Sequence, residues 1–283
     1  MWDSVPVLAA RLLPKFRRSH GYWPNPLRPR TFSEKVLARM LFDRRPMLGQ
    51  FAGKYEVRRH VGERGLAHLL VPPIGLIRAP SDLRRLALPR DFILKSNHGS
   101  SQVRVVRDWD GTGLPELERL VAEWIGQDYG KYAGEWGYRH AERMVIAEPL
   151  LLHDGILPHD YKFWCFGGRM VMFNRSPELL QDGVRDFFDR DLHWLPIDYI
   201  TPRSAAAPPL SPQIRTMIDY AEALSDGVDF VRVDLLSSGD RVFFGEMTIY
   251  PNAAADVFRP LEWNDRLGAA WTLPGWQALR ARG

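Results

Sequence analysis

Residues Phe230 to Tyr250 read FVRVDLLSSGDRVFFGEMTIY. Two runs rich in valine, phenylalanine, leucine and isoleucine flank a Ser-Ser-Gly-Asp turn, the pattern of a β-hairpin. Each run carries one acid among apolar neighbours, Asp234 in the first and Glu246 in the second. An unpaired carboxylate is costly to bury, so a strand that carries one supplies it with a partner. A hard divalent cation fits both acids, because Mg²⁺ takes one or two carboxylates and leaves its remaining positions to water and nucleotide phosphate. Side chains alternate along a strand, so the two acids share a face only if the loop has an odd number of residues or a bulge intervenes. A three-residue loop, Ser237-Ser238-Gly239 with Gly239 left-handed, meets that condition. The alternative is a surface hairpin whose acids are merely solvated.

The bulk numbers bound the setting. A chain of 283 residues is one large domain or two interlocked lobes. Its 45% hydrophobic and 12% aromatic content suits a globule with a large core. The net charge of +4, from 38 basic and 34 acidic residues, suits an anionic ligand but lacks the one-sided excess of a nucleic-acid binder. One cysteine, Cys165, excludes an internal disulfide. No apolar run is long enough to span a bilayer, and the N-terminus lacks the form of a signal peptide. Cytoplasm is the expected location. A second reading makes the N-terminal segment, with Lys15, Arg17 and Arg18, a helix lying weakly on a membrane surface.

Along the chain, Thr31-Phe32-Ser33-Glu34 has capping-box spacing and opens a helix. A second helix is expected from about Leu48 to Val61, with Lys54 and Arg58 on one face, either solvated or aimed at phosphate. Phe92–Lys95 and Val103–Val106 read as strands joined by His98-Gly99-Ser100-Ser101. Such a small, polar loop lets backbone N–H groups approach phosphate oxygens, with Lys95 at its base; a plain hairpin turn is an equal reading. Neither P-loop spacing nor GxGxxG occurs. Val145–Leu151 reads as a strand that stops pairing at Pro149, and a lobe boundary is placed there. The expected division is a helical segment 1–50, a small lobe 51–147 and a large lobe 148–283.

His159–Arg175 reads as a hairpin turning at Gly167-Gly168. Uninterrupted pairing would set Lys162 opposite Phe173 and Asp160 opposite Arg175. Asp160, Lys162, Arg169 and Arg175 would then share one face, an anion site or a solvated face with cross-strand ion pairs. Tyr161, Phe163, Cys165, Met170 and Met172 would form the buried face. Cations for phosphate oxygens together with carboxylates for Mg²⁺ are what phosphoryl transfer from a nucleotide requires.

The stretches TFSEKVLARMLFDRRP, GKYEVRRHV, LPRDFILKSNHGSS, AEPLL, DYKFWCFGGRMVMFNR and FVRVDLLSSGDRVFFGEMTIYP resemble, in order, the ATP-grasp enzymes. Within them they are similar to the TupA-like branch, associated with teichuronopeptide and other cell-surface polymer synthesis. The resemblance implies an α+β ATP-grasp fold, with ATP clasped between two α+β lobes. It further implies that Lys54 and Lys95 contact ATP phosphates, that the loop His98, Gly99, Ser100 and Ser101 closes over them, and that Glu148, Leu150 and Leu151 meet adenine. Asp160 would add to the nucleotide site, Lys162 and Arg175 would hold the transferring phosphoryl group, and Asp234, Glu246 and Thr248 would bind Mg²⁺. The implied activity is carboxylate–amine ligation through an acyl phosphate, with a carboxylate, an amine and possibly a glycan or peptide precursor as substrates. A kinase acting on a hydroxyl, or a non-catalytic nucleotide-binding partner, is the alternative.

Three departures stand out. Gly53 replaces the usual Asp before the first lysine, the loop reads HGSSQ without a second glycine, and Thr248 replaces the usual Asn after the metal-binding Glu. The region before Lys54 is also too short for the Rossmann-like domain of many ATP-grasp enzymes. Acceptor recognition is therefore expected from Tyr129–His140 or the loop around Pro202.

Overall fold

The computed structural model describes residues 4–176 and 183–275. Residues 276–283 lie outside that description. Helix α1 (Val5–His20) buries Leu8, Leu12 and Phe16 against the rest of the molecule. Its apolar stripe is thereby used up in the core, which removes the basis for the membrane-surface reading. Helix α2 (Phe32–Phe42) starts at the capping box: Thr31 accepts from the Glu34 amide, and the Glu34 carboxylate accepts from the Arg30 and Thr31 amides.

The expected helix 48–61 is two helices, α3 (Pro46–Ala52) and α4 (Val57–Glu63), with Lys54 in the break. Lys54 and Arg58 therefore share no helix face. The reason lies at Gly53, where a Cβ would collide with the Glu56 carboxylate folded back over it. That carboxylate accepts from Asn97 Nδ2 at 2.9 Å and from the Glu142 amide at 2.8 Å. Hydrogen bonds that the Glu56 carboxylate accepts from distant segments have overridden helical periodicity.

Strands β1 (Gly75–Ile77), β2 (Phe92–Ser96), β3 (Val103–Val106) and β4 (Val145–Pro149) form an antiparallel sheet ordered β1-β4-β2-β3. Pairing along β4 ends at Pro149, which has no N–H to donate. Helix α5 (Leu114–Gly126) covers the sheet through Leu117, Val121 and Trp124 and is followed by the short α6 (Tyr129–Ala133).

The larger sheet, ordered β11-β10-β5-β6-β7-β8, uses β5 (His159–Phe166), β6 (Arg169–Ser176), β7 (Asp186–Asp189) and β8 (Trp194–Leu195). After β9 (Asp198–Tyr199) and α7 (Ile214–Ser225) come β10 (Phe230–Ser238) and β11 (Arg241–Thr248). Strand β12 (Phe258–Arg259) pairs with β9, and α8 (Glu262–Ala270) follows. Helix α7 covers one face of the sheet with Met217, Ala221 and Leu224. The opposite face is divided. At one end Trp164 and Phe230 pack on Phe32, with ring centroids 5.4 and 5.0 Å away. At the other end lie Asp160, Lys162, Asp234 and Glu246. The apolar half fixes the sheet against α2, and the polar half is left as a floor.

Two bulges decide which residues reach that floor. Strand β10 pairs Ser238 with Arg241, so the hairpin loop is Gly239-Asp240 and not the three-residue loop expected. The pairing skips Gly245, and this bulge sets Asp234 directly opposite Glu246. In the other hairpin Phe166 pairs with Arg169 as expected, but Val171 is skipped. Lys162 consequently faces Asn174 instead of Phe173, and Arg175 faces Tyr161 instead of Asp160. One inserted residue inverts the faces of everything beyond it, so Arg175 leaves the Lys162 face and Met172 joins it.

Candidate functional site

Asp234 and Glu246 are cross-strand partners on the polar floor. Asp234 is 4% exposed, and its two oxygens accept from Arg232 Nε at 2.7 Å and Nη2 at 2.6 Å. Burial pushes its carboxyl up to about 6 in spite of Arg232 and Lys162. Glu246 is raised by burial too, but Lys54, Arg232 and the Thr248 hydroxyl together hold it below its ordinary value. The Thr248 hydroxyl donates to Glu246 Oε1 at 2.8 Å and accepts from Arg232 Nη2 at 2.9 Å. Two adjacent carboxylates, one of them unfavourably ionised where it stands, fit a divalent cation: each oxygen engaged by Arg232 keeps a second lone pair. Thr248 would assist as a neutral oxygen.

Three cations converge on these acids. Lys162 forms an ion pair with Asp160 and lies 3.5 Å from Asp234. Lys54 donates to the Gly99 carbonyl at 2.6 Å, and its charge acts on Glu246. Burial lowers the Lys54 ammonium, with Lys95 pushing the same way. Arg232 completes the group. Lys95 stands further along the cleft, paired with Glu148 at 2.8 Å. Arg58, expected beside Lys54 on a helix face, instead reaches Glu148 at 3.6 Å and the Val71 carbonyl at 2.9 Å.

The floor opens on two spaces. A narrow apolar cleft is lined by Ile93, Lys95, Glu148, Leu150, Leu151 and Leu236, where the two sheets approach each other. A polar cavity of about 410 Å³ lies beyond the acids, and Ser100, Ser101, Tyr129, Glu135, Glu246 and Thr248 are among its walls. The loop 98–101 spans the junction, with Ser101 left-handed at φ 60°. Its serines reach the cavity, but His98 does not share their direction. The His98 ring is 2% exposed and packs into the smaller sheet's lobe, with Nε2 2.9 Å from the Trp124 carbonyl and Nδ1 3.3 Å from Ser96 Oγ. It anchors the loop.

The family model described as TupA-like ATPgrasp matches residues 34–272. The chain belongs to the TupA-like ATP-grasp family. Its fold class is that of the family, α+β with two antiparallel sheets facing a cleft. Comparison with curated protein sequences found no match. Among solved structures, the TupA-like chain is similar to the D-alanine–D-alanine ligase of Helicobacter pylori at 15% identity and a TM-score of 0.47, covering 79% of this chain and 61% of that one. It is similar to the L-amino acid ligase of Bacillus licheniformis at 16% identity and a TM-score of 0.46, covering 72% and 44%. The ATP-grasp ligase PsnB, in complex with minimal precursor, Mg and ADP, shows 14% identity and a TM-score of 0.41, covering 72% and 52%. The TupA-like chain thus spans between 44% and 61% of the length of these structures, and its assignment rests on the family match.

Three residues of this TupA-like site escape a reading of the sequence. Arg232 was within reach of one, since it stands two places before Asp234 on the same strand and alternation puts both on one face. Asn174 was not, because the Val171 bulge brings it opposite Lys162. Its Oδ1 accepts from Trp164 Nε1 at 3.1 Å, and its Nδ2 has no partner among the described residues. Glu135 lies far from the other acids in sequence and meets them only across the cavity. No described helix is long and apolar enough to cross a membrane.

Proposed function

We propose that the chain is an ATP-dependent carboxylate–amine ligase that activates a carboxylate as its acyl phosphate and passes it to an amine. The observation that carries this reading is the Asp234–Glu246 pair, ringed by Lys54, Lys162 and Arg232, at the junction of an apolar cleft and a polar cavity. Adenine would lie in the cleft against Leu150, Leu151 and Leu236, with Glu148 beside it. Lys54 and Lys95, with the backbone and hydroxyls of Gly99, Ser100 and Ser101, would hold the phosphates. Lys162 and Arg232 would neutralise charge on the transferring phosphoryl group and then on the acyl phosphate. Arg175, carried to the other face by the bulge, has no part in it. Asp234, Glu246 and Thr248 would hold Mg²⁺, which supplies charge neutralisation at the phosphates. The lobes on either side are taken as 51–147 and 148–283, with 1–50 as a helical segment.

The kinase alternative needs a general base for a hydroxyl. Asp160 is engaged by Lys162 in an ion pair and is not free to meet an acceptor hydroxyl. The setting we propose, on the family resemblance, is cytoplasmic assembly of a cell-surface polysaccharide or peptide polymer, whose precursor would be the larger substrate. Incubation with Mg·ATP, hydroxylamine and a panel of amino acids and sugar acids tests the chemistry. ADP release with a hydroxamate from one carboxylate is the expected result. A stable phosphorylated hydroxyl compound would instead make the protein a kinase.

A further inference from the structure

Glu135 is a carboxyl in the polar cavity that the steps above leave without a task. It follows Gly134, left-handed at φ 76°, which ends α6 and turns the chain inward. Glu135 is 5% exposed and lines the cavity together with Glu246 and Thr248 on one side and Arg11 and Lys15 of α1 on the other. Among the described residues nothing hydrogen-bonds its carboxylate or pairs with it inside 4 Å; Lys15 and Glu246 act on it from farther off. A carboxyl so enclosed either keeps its proton or takes a cation as partner. The cavity holds a small group, and it adjoins the place where the acyl phosphate would form.

We propose that Glu135 binds the ammonium group of the acceptor and removes the proton that blocks its attack. This rests on the ligase reading. The ammonium gives one proton to the Glu135 carboxylate and becomes a free amine. The nitrogen lone pair then forms the C–N bond at the acyl carbon, and the C–O bond to phosphate breaks with its electron pair leaving on phosphate. The second N–H proton departs with that phosphate, which balances the step. Burial pushes the Glu135 carboxyl up to about 8, which suits a group that must accept a proton. The charged and titratable groups facing it are Arg11 and Lys15 from α1, Tyr129, Tyr132 and Tyr138 from its own region, and Arg232, Glu246 and Tyr250 from the sheet and the segment after it.

The acyl phosphate can be intercepted by two kinds of nucleophile. Hydroxylamine is uncharged at neutral pH, whereas methylamine is an ammonium ion that needs both binding and deprotonation. The enzyme would be run with Mg·ATP and the carboxylate panel, and transfer to each nucleophile measured for the parent, Glu135→Gln and Glu135→Asp. The expected result is that Glu135→Gln lowers the ratio of methylamine to hydroxylamine transfer by about tenfold or more, and raises the methylamine KM. Glu135→Asp, which keeps the charge, should recover part of the loss. An unchanged ratio overturns the inference. So does an equal loss with both nucleophiles, which would make Glu135 a metal ligand or a structural group. So does a parent enzyme that transfers to hydroxylamine but not to methylamine. A parent that forms no hydroxamate from any carboxylate overturns the ligase reading itself, and this inference with it.

Discussion

Asp234 and Glu246 look equivalent in the sequence but stand differently in the molecule. Asp234 is enclosed and doubly bonded to Arg232, whereas the Glu246 side chain is 37% exposed to the cavity. Glu246→Gln is therefore expected to lower Mg²⁺-dependent turnover by about a hundredfold or more with little change in thermal midpoint. Asp234→Ala should lose turnover and also about 3–5 kcal/mol of stability, because it strands the buried Arg232 guanidinium. Turnover assays beside denaturant titrations separate the two. Glu135 predicts a pH effect with a definite sign. Its folded carboxyl is pushed from 4.5 up to about 8, so the folded protein keeps a proton that the unfolded chain has already released between those values. Stability must fall as pH rises through that window, by an amount on the order of a few kcal/mol. Urea titrations should show Glu135→Gln gaining on the parent as pH rises from 4 to 8 and then levelling off.

At the scale of elements, the hairpins show how one residue sets a site. Gly245 is the bulge that aligns Asp234 with Glu246, and a Cβ there would lie 2.9 Å from the Asp234 carbonyl oxygen. Gly245→Ala is expected to cost roughly 1–3 kcal/mol and to weaken turnover through the shifted acids. Retention of full stability and activity would show that the bulge tolerates a side chain. The hairpins were legible from composition and turn residues, since Gly167-Gly168 and the glycine of Ser-Ser-Gly-Asp mark the reversals. The Val171 bulge was not, because Val171 carries no local signal that pairing will skip it, whereas Gly245 does, since a glycine inside a strand often marks a bulge. The break between α3 and α4 was hidden for a similar reason: Glu56 finds its partners at Asn97 and Glu142, on distant segments.

For the whole molecule, α2 and α3 are tied to the larger sheet by a buried charge cluster. The Arg39 guanidinium is fully buried, donates to the Phe230 and Ile249 carbonyls, and meets Asp229 at 2.6 Å. Asp229 also accepts from Arg45 at 2.8 Å and from Trp271 Nε1 at 2.7 Å. Asp229→Ala leaves two guanidinium groups without their shared acceptor and should cost about 3–5 kcal/mol, measured by chemical denaturation. A ligand clasped between the sheets stabilises only the folded state. A non-hydrolysable ATP analogue with Mg²⁺, at a hundred times its Kd, should therefore add about 2.7 kcal/mol. Glu246→Gln should show less of this gain if its carboxylate helps to hold the cation, as proposed.

Local pattern alone determined strands β2 to β6, β10 and β11, the capped helix at Thr31, both hairpin reversals and the presence of acids and lysines suited to phosphate and Mg²⁺. These depend on side-chain period and turn chemistry, which act over a few residues. The order of the motifs pointed to the family. Only the tertiary structure decided which side chains meet. Bulges inverted the Arg175 face and aligned the two acids, His98 turned into the smaller lobe, α1 gave its apolar stripe to the core, and Glu135 came across the cavity from Glu246. Each of these follows from contacts between segments far apart in the chain, where packing and the burial of charge outweigh local preference.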